Sequence, residues 1–232
     1  MILSGNFENQ RRFFDLFSKS YGFMEILTFG FANRARKRFL KILDLTNDGI
    51  VCDLMCGNGN NIGILRKNFR CKRIIGVDVS SGMIQVARDR FGEENIFYVT
   101  ENALASIPSS HCDFVTCSFG LKTLRPEQRI LLIDEVYRIL KPSGTFVFME
   151  LSKPVGFVSV FWKFYFLFFL PWMARLFSYP FVRKKYLMDS ISDFGSIFSE
   201  EEFCRKVFSK LKFFRWYGGI VTGVLGEKME TP

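Results

Sequence analysis

The chain reads as an α/β protein built on an open, mostly parallel sheet. Three observations predict this. Short apolar runs alternate with helical stretches, a glycine-rich turn joins the first run to a helix, and two late runs flank a glycine pair.

Taken in order, Phe7 to Ser18 has helical periodicity with Phe13, Phe14 and Phe17 on one face. Breaks at Tyr21-Gly22 and Phe29-Gly30 precede a second helix, Arg34 to Leu43, with a basic outer face. Ile50 to Leu54 is a short apolar run after Asn47-Asp48-Gly49, as a buried strand requires. Asn60 to Phe69 reads as a helix and Arg73 to Val79 contains a second buried strand that ends on Asp78. Ser80 is placed to cap the next helix, which runs to Phe91. Strands follow at Ile96 to Val99 and Phe114 to Ser118. Pro126 opens a helix that Lys141-Pro142-Ser143-Gly144 stops, and Thr145 to Leu151 is the fifth strand. In the tail, Ser199 to Phe208 is expected as a helix capped by Ser199. Lys212 to Tyr217 and Ile220 to Leu225 then form a hairpin about Gly218-Gly219.

Between sheet and tail lies an aromatic insertion, Val155 to Phe181. Its run Phe157 to Leu170 is too short to span a bilayer, carries Lys163 and stops at Pro171. Arg175, Arg183, Lys184 and Lys185 follow. Apolar side chains beside cations suit peripheral contact with an anionic membrane, and equally a lid or a homodimer surface.

Composition narrows the setting. Of 232 residues, 48% are apolar and 24% charged, which predicts a folded core. The 29 phenylalanines imply an enlarged core or a greasy site, and the net charge of +9 favours anionic partners. The six cysteines form no CxxC pair and His111 is the sole histidine, so no metal site is expected. The opening residues lack an apolar signal segment, which points to the cytoplasm, with an expected peripheral position at the membrane's inner face.

The chemistry centres on Asp53-Leu-Met-Cys-Gly57-Asn58-Gly59, set between a buried strand and a helix. Glycines admit a ligand to the backbone, and ligands of such sheets bind at the strands' carboxyl ends. Asp78, ending the next strand, is placed to accept hydrogen bonds from ribose hydroxyls. Ile62 replaces the third glycine of a dinucleotide fingerprint, and no Lys-Ser/Thr pair marks a phosphate loop. The pattern fits a nucleoside without a cradled pyrophosphate. S-adenosylmethionine is such a ligand, and Asp53 could meet its ammonium group.

A set of motifs then resembles the ubiquinone/menaquinone biosynthesis C-methyltransferases (UbiE/MenG type) over nearly the whole chain. Phe14-Asp15 with Tyr21 resembles the family's "FD…YD", and Asp53 to Gly59 its "DxACGTG" loop. Gly76-Val-Asp-Val-Ser80 resembles "GxDxS", with Met83 at the "ML" position, and Glu101-Asn102-Ala103 resembles "GNA". Ser118 to Leu121 resembles "SFGL", Arg138 to Gly144 "RVLKPGG", Glu150 to Pro154 "EFSKP", and Gly218 to Val221 "GGIV". The resemblance implies a class I methyltransferase, a Rossmann-like sheet with a C-terminal antiparallel hairpin, N-terminal helices and the aromatic helical insertion. It implies one domain over 1–232, with 1–45 as a helical cap and 155–195 as a lid. Carried over from the family, S-adenosylmethionine contacts fall on Asn58, Asp78, Asn102, Ala103 and Ser118, and Asp53, Gly57, Gly59, Val79 and Met83 complete the expected cofactor site. Tyr21 would cover its methionine end.

The acceptor side departs from the family. "YD" is Tyr21-Gly22, the Arg-Asn after "FGL" is Lys122-Thr123, and the histidine after "GGIVAI" is missing from Thr222-Gly-Val. A phenol or hydroquinone acceptor needs its oxyanion stabilised near neutrality. Lys122 is a candidate for that, and Asp15 and Tyr21 are candidate proton acceptors or positioning groups. The expected reaction is methylation of a lipophilic quinone precursor (demethylmenaquinone-like) or a related isoprenoid. An isoprenyl diphosphate or phenolic acceptor, and a non-catalytic accessory protein, are the alternatives. Nucleic acid is not expected as a partner, since no RNA-binding module is visible.

Overall fold

The computed structural model describes residues 7–18, 30–43, 48–100, 107–169, 172 and 190–229. Among the described residues, two helices come first, α1 (Phe7–Phe17) and α2 (Phe31–Leu40). An alternating run follows: β1 (Gly49–Leu54), α3 (Asn60–Asn68), β2 (Cys71–Val77), α4 (Ser81–Phe91), β3 (Ile96–Val99) and β4 (Cys112–Ser118). Next come α5 (Pro126–Ile139), β5 (Leu140–Leu151), α6 (Val158–Phe164), α7 (Glu201–Val207), β6 (Phe208–Trp216) and β7 (Val221–Lys228).

The strands form one seven-stranded sheet in the order β3-β2-β1-β4-β5-β7-β6. Strands β1 to β5 are parallel, and β7 runs antiparallel to both β5 and β6. The sheet, the hairpin and the flanking helices are those the sequence predicts. The chain leaves β1 towards β2 on one side and enters β4 on the other. Strand order therefore reverses between β1 and β4, and a crevice opens at their carboxyl ends.

Both faces of the sheet are covered, which explains the continuous apolar runs. Cys52, Leu54, Val115, Phe146 and Phe148 pack with Leu132, Val136 and Ile139 of α5 and with Cys204 of α7. Val51, Ile74, Val147 and Met149 pack with Ala35 and Phe39 of α2, Ile62 and Leu65 of α3 and Ile84 of α4. Among the described residues, phenylalanines serve both core and surface. Phe39, Phe146, Phe148 and Phe208 are buried, whereas Phe157 just before α6, Phe161 and Phe164 on it and Phe168 on the turn of helix after it stand 61–77% exposed.

Three sequence expectations need correction. Strand β5 starts at Leu140, paired with Cys112, rather than at Thr145. The Lys-Pro-Ser-Gly segment is absorbed as an irregularity, with Ser143 at φ 59° and Lys141 Nζ bonded to Asp113 Oδ1 at 2.8 Å. Ser199 does not cap α7. A 3-10 turn, Ile197–Glu200, comes first, and Ser199 Oγ donates to the Ser196 carbonyl at 2.8 Å. Burial of Ile197 and the 2.7 Å contact of Arg129 Nε with Glu200 Oε1 bring this turn in against α5. Finally, the basic face of α2 is not wholly outward: Arg34, Lys37 and Arg38 are exposed, but Arg36 is buried.

Candidate active site

The crevice between β1 and β4 is floored by two turns with unusual backbones. After β1, Met55, Gly57 and Gly59 have φ of 54°, 54° and 81°. After β4, Phe119 has φ 66°. Non-glycine residues rarely occupy this left-handed region, and such outliers gather where a site needs a fixed backbone. Gly59 is required twice over, by its φ and because a Cβ there would meet the Phe91 ring at 2.9 Å. A Cβ on Gly57 would meet nothing within 4 Å, so the loop is open there. Arg90 Nη1 clamps the turn by donating to the Asn58 carbonyl at 2.7 Å and to Asn60 Oδ1 at 2.9 Å.

Asp78, just beyond β2, ties this loop to the start of α4. Its Oδ2 accepts from the Gly57 amide at 2.8 Å and its Oδ1 from the Ser80 amide at 2.9 Å. Ser80 caps α4 as expected, accepting from the Met83 amide at 3.1 Å. Burial raises the Asp78 carboxyl to about 6, against the pull of those amides.

Asp53, the fifth residue of β1, is wholly buried. Asn61, in the first turn of α3, donates one amide to both Asp53 Oδ1 at 2.8 Å and Ser118 Oγ at 2.9 Å. One side chain thus bridges β1 and β4 across the crevice. Asp53 Oδ2, Asn61 Oδ1 and the hydroxyl of Thr116, which pairs with Asp53 across the sheet, have no hydrogen-bond partner. Burial raises Asp53 to about 7, with Asn61 and the charge of Arg36 opposing. Asn61 and Thr116 escape a motif reading. The one sequence signal is the doubled Asn60-Asn61 directly after the glycine turn, in the first turn of α3.

The remaining predicted residues fall as follows. Gly57, Asn58, Gly59 and Val79 lie in the turns after β1 and β2, Ser118 ends β4 and Met83 sits in the first turn of α4, with Asn58, Met83 and Ser118 buried. Asp15 is tied to the start of α4. Its Oδ1 accepts from Ser80 Oγ at 2.6 Å and from the Gly82 amide at 3.0 Å, fastening α1 over the N-terminus of α4. The Lys122 side chain is drawn inward: its Nζ donates to Glu150 Oε1 at 3.0 Å and to the Phe119 carbonyl at 2.5 Å. The Lys122 amide adds a bond to Glu150 Oε2 at 3.0 Å. Thr222 bonds Ser152 Oγ at 2.5 Å, and Val224, where the family histidine would stand, is buried in the sheet. Tyr21, Asn102 and Ala103 lie outside the described residues. No group of three or more potential metal ligands occurs among the described residues.

A family model described as the ubiE/COQ5 methyltransferase family matches residues 6–228. The chain belongs to that family. This methyltransferase is 30% identical over 233 residues to the ubiquinone/menaquinone biosynthesis C-methyltransferase UbiE of Geotalea uraniireducens, covering 95% of its own length and 97% of the relative's. It is 28% identical over 196 residues to the demethylmenaquinone methyltransferase of Lactiplantibacillus plantarum, covering 81% and 82%. Among solved structures, a SAM-dependent methyltransferase from Thermotoga maritima superposes with a TM-score of 0.67 at 17% identity, over 94% of this chain and 99% of that one. Phosphoethanolamine N-methyltransferase 2 of Haemonchus contortus, in complex with phosphomonomethylethanolamine and S-adenosylhomocysteine, superposes at 0.64 and 14% identity. That match covers 85% of this chain and 53% of the Haemonchus contortus chain. The sheet of the ubiE/COQ5 member is thus a methyltransferase sheet.

The residues present fit S-adenosylmethionine. Two buried carboxyls with raised pKa values flank an open glycine turn, and one has an orphaned oxygen. Such acids favour a ligand carrying positive charge. S-adenosylmethionine brings a sulfonium and an ammonium against one carboxylate, and its neutral ribose diol matches an acceptor such as Asp78.

Proposed function

We propose that the chain is an S-adenosylmethionine-dependent C-methyltransferase whose acceptor is a lipophilic quinone precursor of the demethylmenaquinone kind. It works as one domain over 1–232. The observation that carries the reading is the acid pair Asp53 and Asp78 beside the open turn at Gly57, in a chain related end to end to enzymes named for quinone methylation. When bound, S-adenosylmethionine supplies an electrophilic methyl group on its sulfonium. Asp78 orients the ribose hydroxyls, and Asp53, steered by Asn61, faces the cationic end. Gly57, Asn58 and Gly59 admit the ligand to the backbone, while Val79, Met83 and Ser118 wall the site. Asn102 and Ala103 meet the adenine edge and Tyr21 covers the methionine end. Positioning and exclusion of water supply much of the rate for such a displacement. Lys122 holds the Phe119 turn through Glu150, and Asp15 holds α1 in place. The test is lipid extraction from a strain lacking the gene. A quinone one methylene lighter supports the reading, and an unchanged quinone profile overturns the acceptor.

Binding should depend on pH with a defined sign. Asp53 and Asp78 hold their protons more tightly in the folded chain than in the unfolded one. Their contribution to stability is full below about pH 4 and is lost as pH rises towards 7. A cationic ligand prefers the ionised pair, so its stabilisation grows over the same interval. S-adenosylmethionine is expected to raise the melting temperature more at pH 8 than at pH 5.5. An equal shift at both would detach the acids from the cofactor.

No helix of the described residues is long and apolar enough to cross a membrane. We infer a cytoplasmic protein that meets the anionic inner face through α6, or pairs there with a second copy. Phe157, Phe161, Phe164 and Phe168 recur at helical spacing and stand in solvent beside exposed Lys163. Helix α6 follows β5, so this ridge lies at the carboxyl edge of the sheet, where the crevice opens. Flotation with vesicles containing anionic lipid should carry the protein, and Phe161→Ser with Phe164→Ser should leave it behind. Flotation unchanged by the double substitution would exclude the ridge.

A further inference from the structure

One arginine of α2 faces inward, beside the site described above. Of four cations in the run Arg34 to Arg38, only Arg36 turns to the sheet with Ala35 and Phe39, and it is 7% exposed. Burying a guanidinium is costly, because the group stays charged in any environment a protein offers. Its position is specific. The guanidinium carbon lies 4.8 Å from the centroid of the Phe119 ring, its Nη1 donates to Asn33 Oδ1 at 3.3 Å, and its charge is felt at Asp53.

Phe119 is the left-handed residue directly after Ser118, on the β4 side of the crevice. Two cations meet at this residue. Lys122 reaches its carbonyl and is paired with the fully buried Glu150. Arg36 lies over its ring, within electrostatic reach of Asp53, where the proposed methyl donor has its cationic end. A phenolic or hydroquinone acceptor develops negative charge on oxygen as its ring becomes nucleophilic, and that charge must sit near the methyl donor. A fixed guanidinium in a water-poor crevice suits an oxyanion, and its planar face is held in register by the ring beneath it.

We propose that Arg36 is an acceptor-binding residue whose guanidinium, seated on Phe119 at the β1/β4 crevice, holds the ionised hydroxyl oxygen of the acceptor. The proposal rests on the phenolic class of acceptor argued above. It also divides the two cations near Phe119: Lys122 secures the turn and Arg36 meets the substrate.

The test is equilibrium binding to protein saturated with S-adenosylhomocysteine, using two probes of nearly equal shape. One is 2-hydroxy-1,4-naphthoquinone, an anion at neutral pH, and the other is neutral 1,4-naphthoquinone. The wild type should prefer the anion. Arg36→Gln should weaken the anion roughly 10- to 100-fold, the range for a hydrogen bond to a charged group, and the neutral probe less than about 3-fold. Arg36→Lys should recover part of the loss. Affinity for S-adenosylhomocysteine should stay within about 3-fold in both variants. Equal weakening of both probes, or no preference in the wild type, would overturn the proposal. Loss of S-adenosylhomocysteine binding in step with the anion would overturn it too, by assigning Arg36 to the cofactor carboxylate. Methyl transfer by the wild type to a short-chain demethylmenaquinol, measured separately, reports on the acceptor class, so the two failures are distinguishable.

Discussion

Lys122→Ala is expected to lower the unfolding free energy by about 3–5 kcal/mol, because it strands a buried carboxylate. Glu150 is 0% exposed, and the Lys122 side chain 8%. Glu150 accepts from Lys122 Nζ at 3.0 Å, from the Lys122 amide at 3.0 Å and from the Leu151 amide at 2.6 Å. Alanine removes the counter-charge and leaves two backbone donors. It also releases the Phe119 carbonyl, so the left-handed turn beside the crevice loses its anchor. Lys122→Arg should cost far less, since the charge is kept. Pairing Lys122→Met with Glu150→Gln should recover only part of the loss: the unpaired charge is gone, but the glutamine must turn its NH2 towards the amide of residue 122 or of Leu151. Urea unfolding at neutral pH reads all three. A Lys122→Ala protein within about 1 kcal/mol of the wild type, yet slow in turnover, would return Lys122 to the role of oxyanion stabiliser.

Asp78→Ala is expected to weaken S-adenosylhomocysteine at least about 100-fold. A hydrogen bond to a charged group contributes about 1.5–3 kcal/mol, and two ribose hydroxyls would lose such a partner. The change also orphans the amides of Gly57 and Ser80, now bonded at 2.8 and 2.9 Å. The glycine turn and the start of α4 would lose their common tether. Asp78→Asn should not restore binding, since one of its two terminal groups must face a backbone donor with N–H. Calorimetric titration of the variants, with melting temperature as a check on folding, decides the point. Affinity within about 3-fold of the wild type would remove Asp78 from the cofactor site.

The sheet was legible because its signals are local. The run Ile50 to Leu54, the glycines after it and the cap at Ser80 each dictate their element without help from distant residues. The start of β5 was not. Pro142-Ser143-Gly144 resembles a break, and only the pairing of Leu140 with Cys112 and of Lys141 with Asp113 keeps it in the ladder. On the cofactor side, Asp53 and Asp78 stood out by their place at strand ends. The roles of Lys122 and Asp15 depended on partners at positions 150, 80 and 82, which no spacing rule connects. Arg36 was hidden for the same reason, as one cation among four until a face of α2 is assigned.

The central claim is that this ubiE/COQ5 family member moves a methyl group from S-adenosylmethionine to a quinone precursor. The most direct measurement incubates the purified chain with methyl-deuterated S-adenosylmethionine and a short-chain demethylmenaquinol under reducing conditions, followed by mass spectrometry of the lipid. The account predicts a product carrying one labelled methyl group on ring carbon, absent when Asp78→Ala replaces the wild type. An unlabelled quinol, from protein that binds S-adenosylhomocysteine normally, would contradict it.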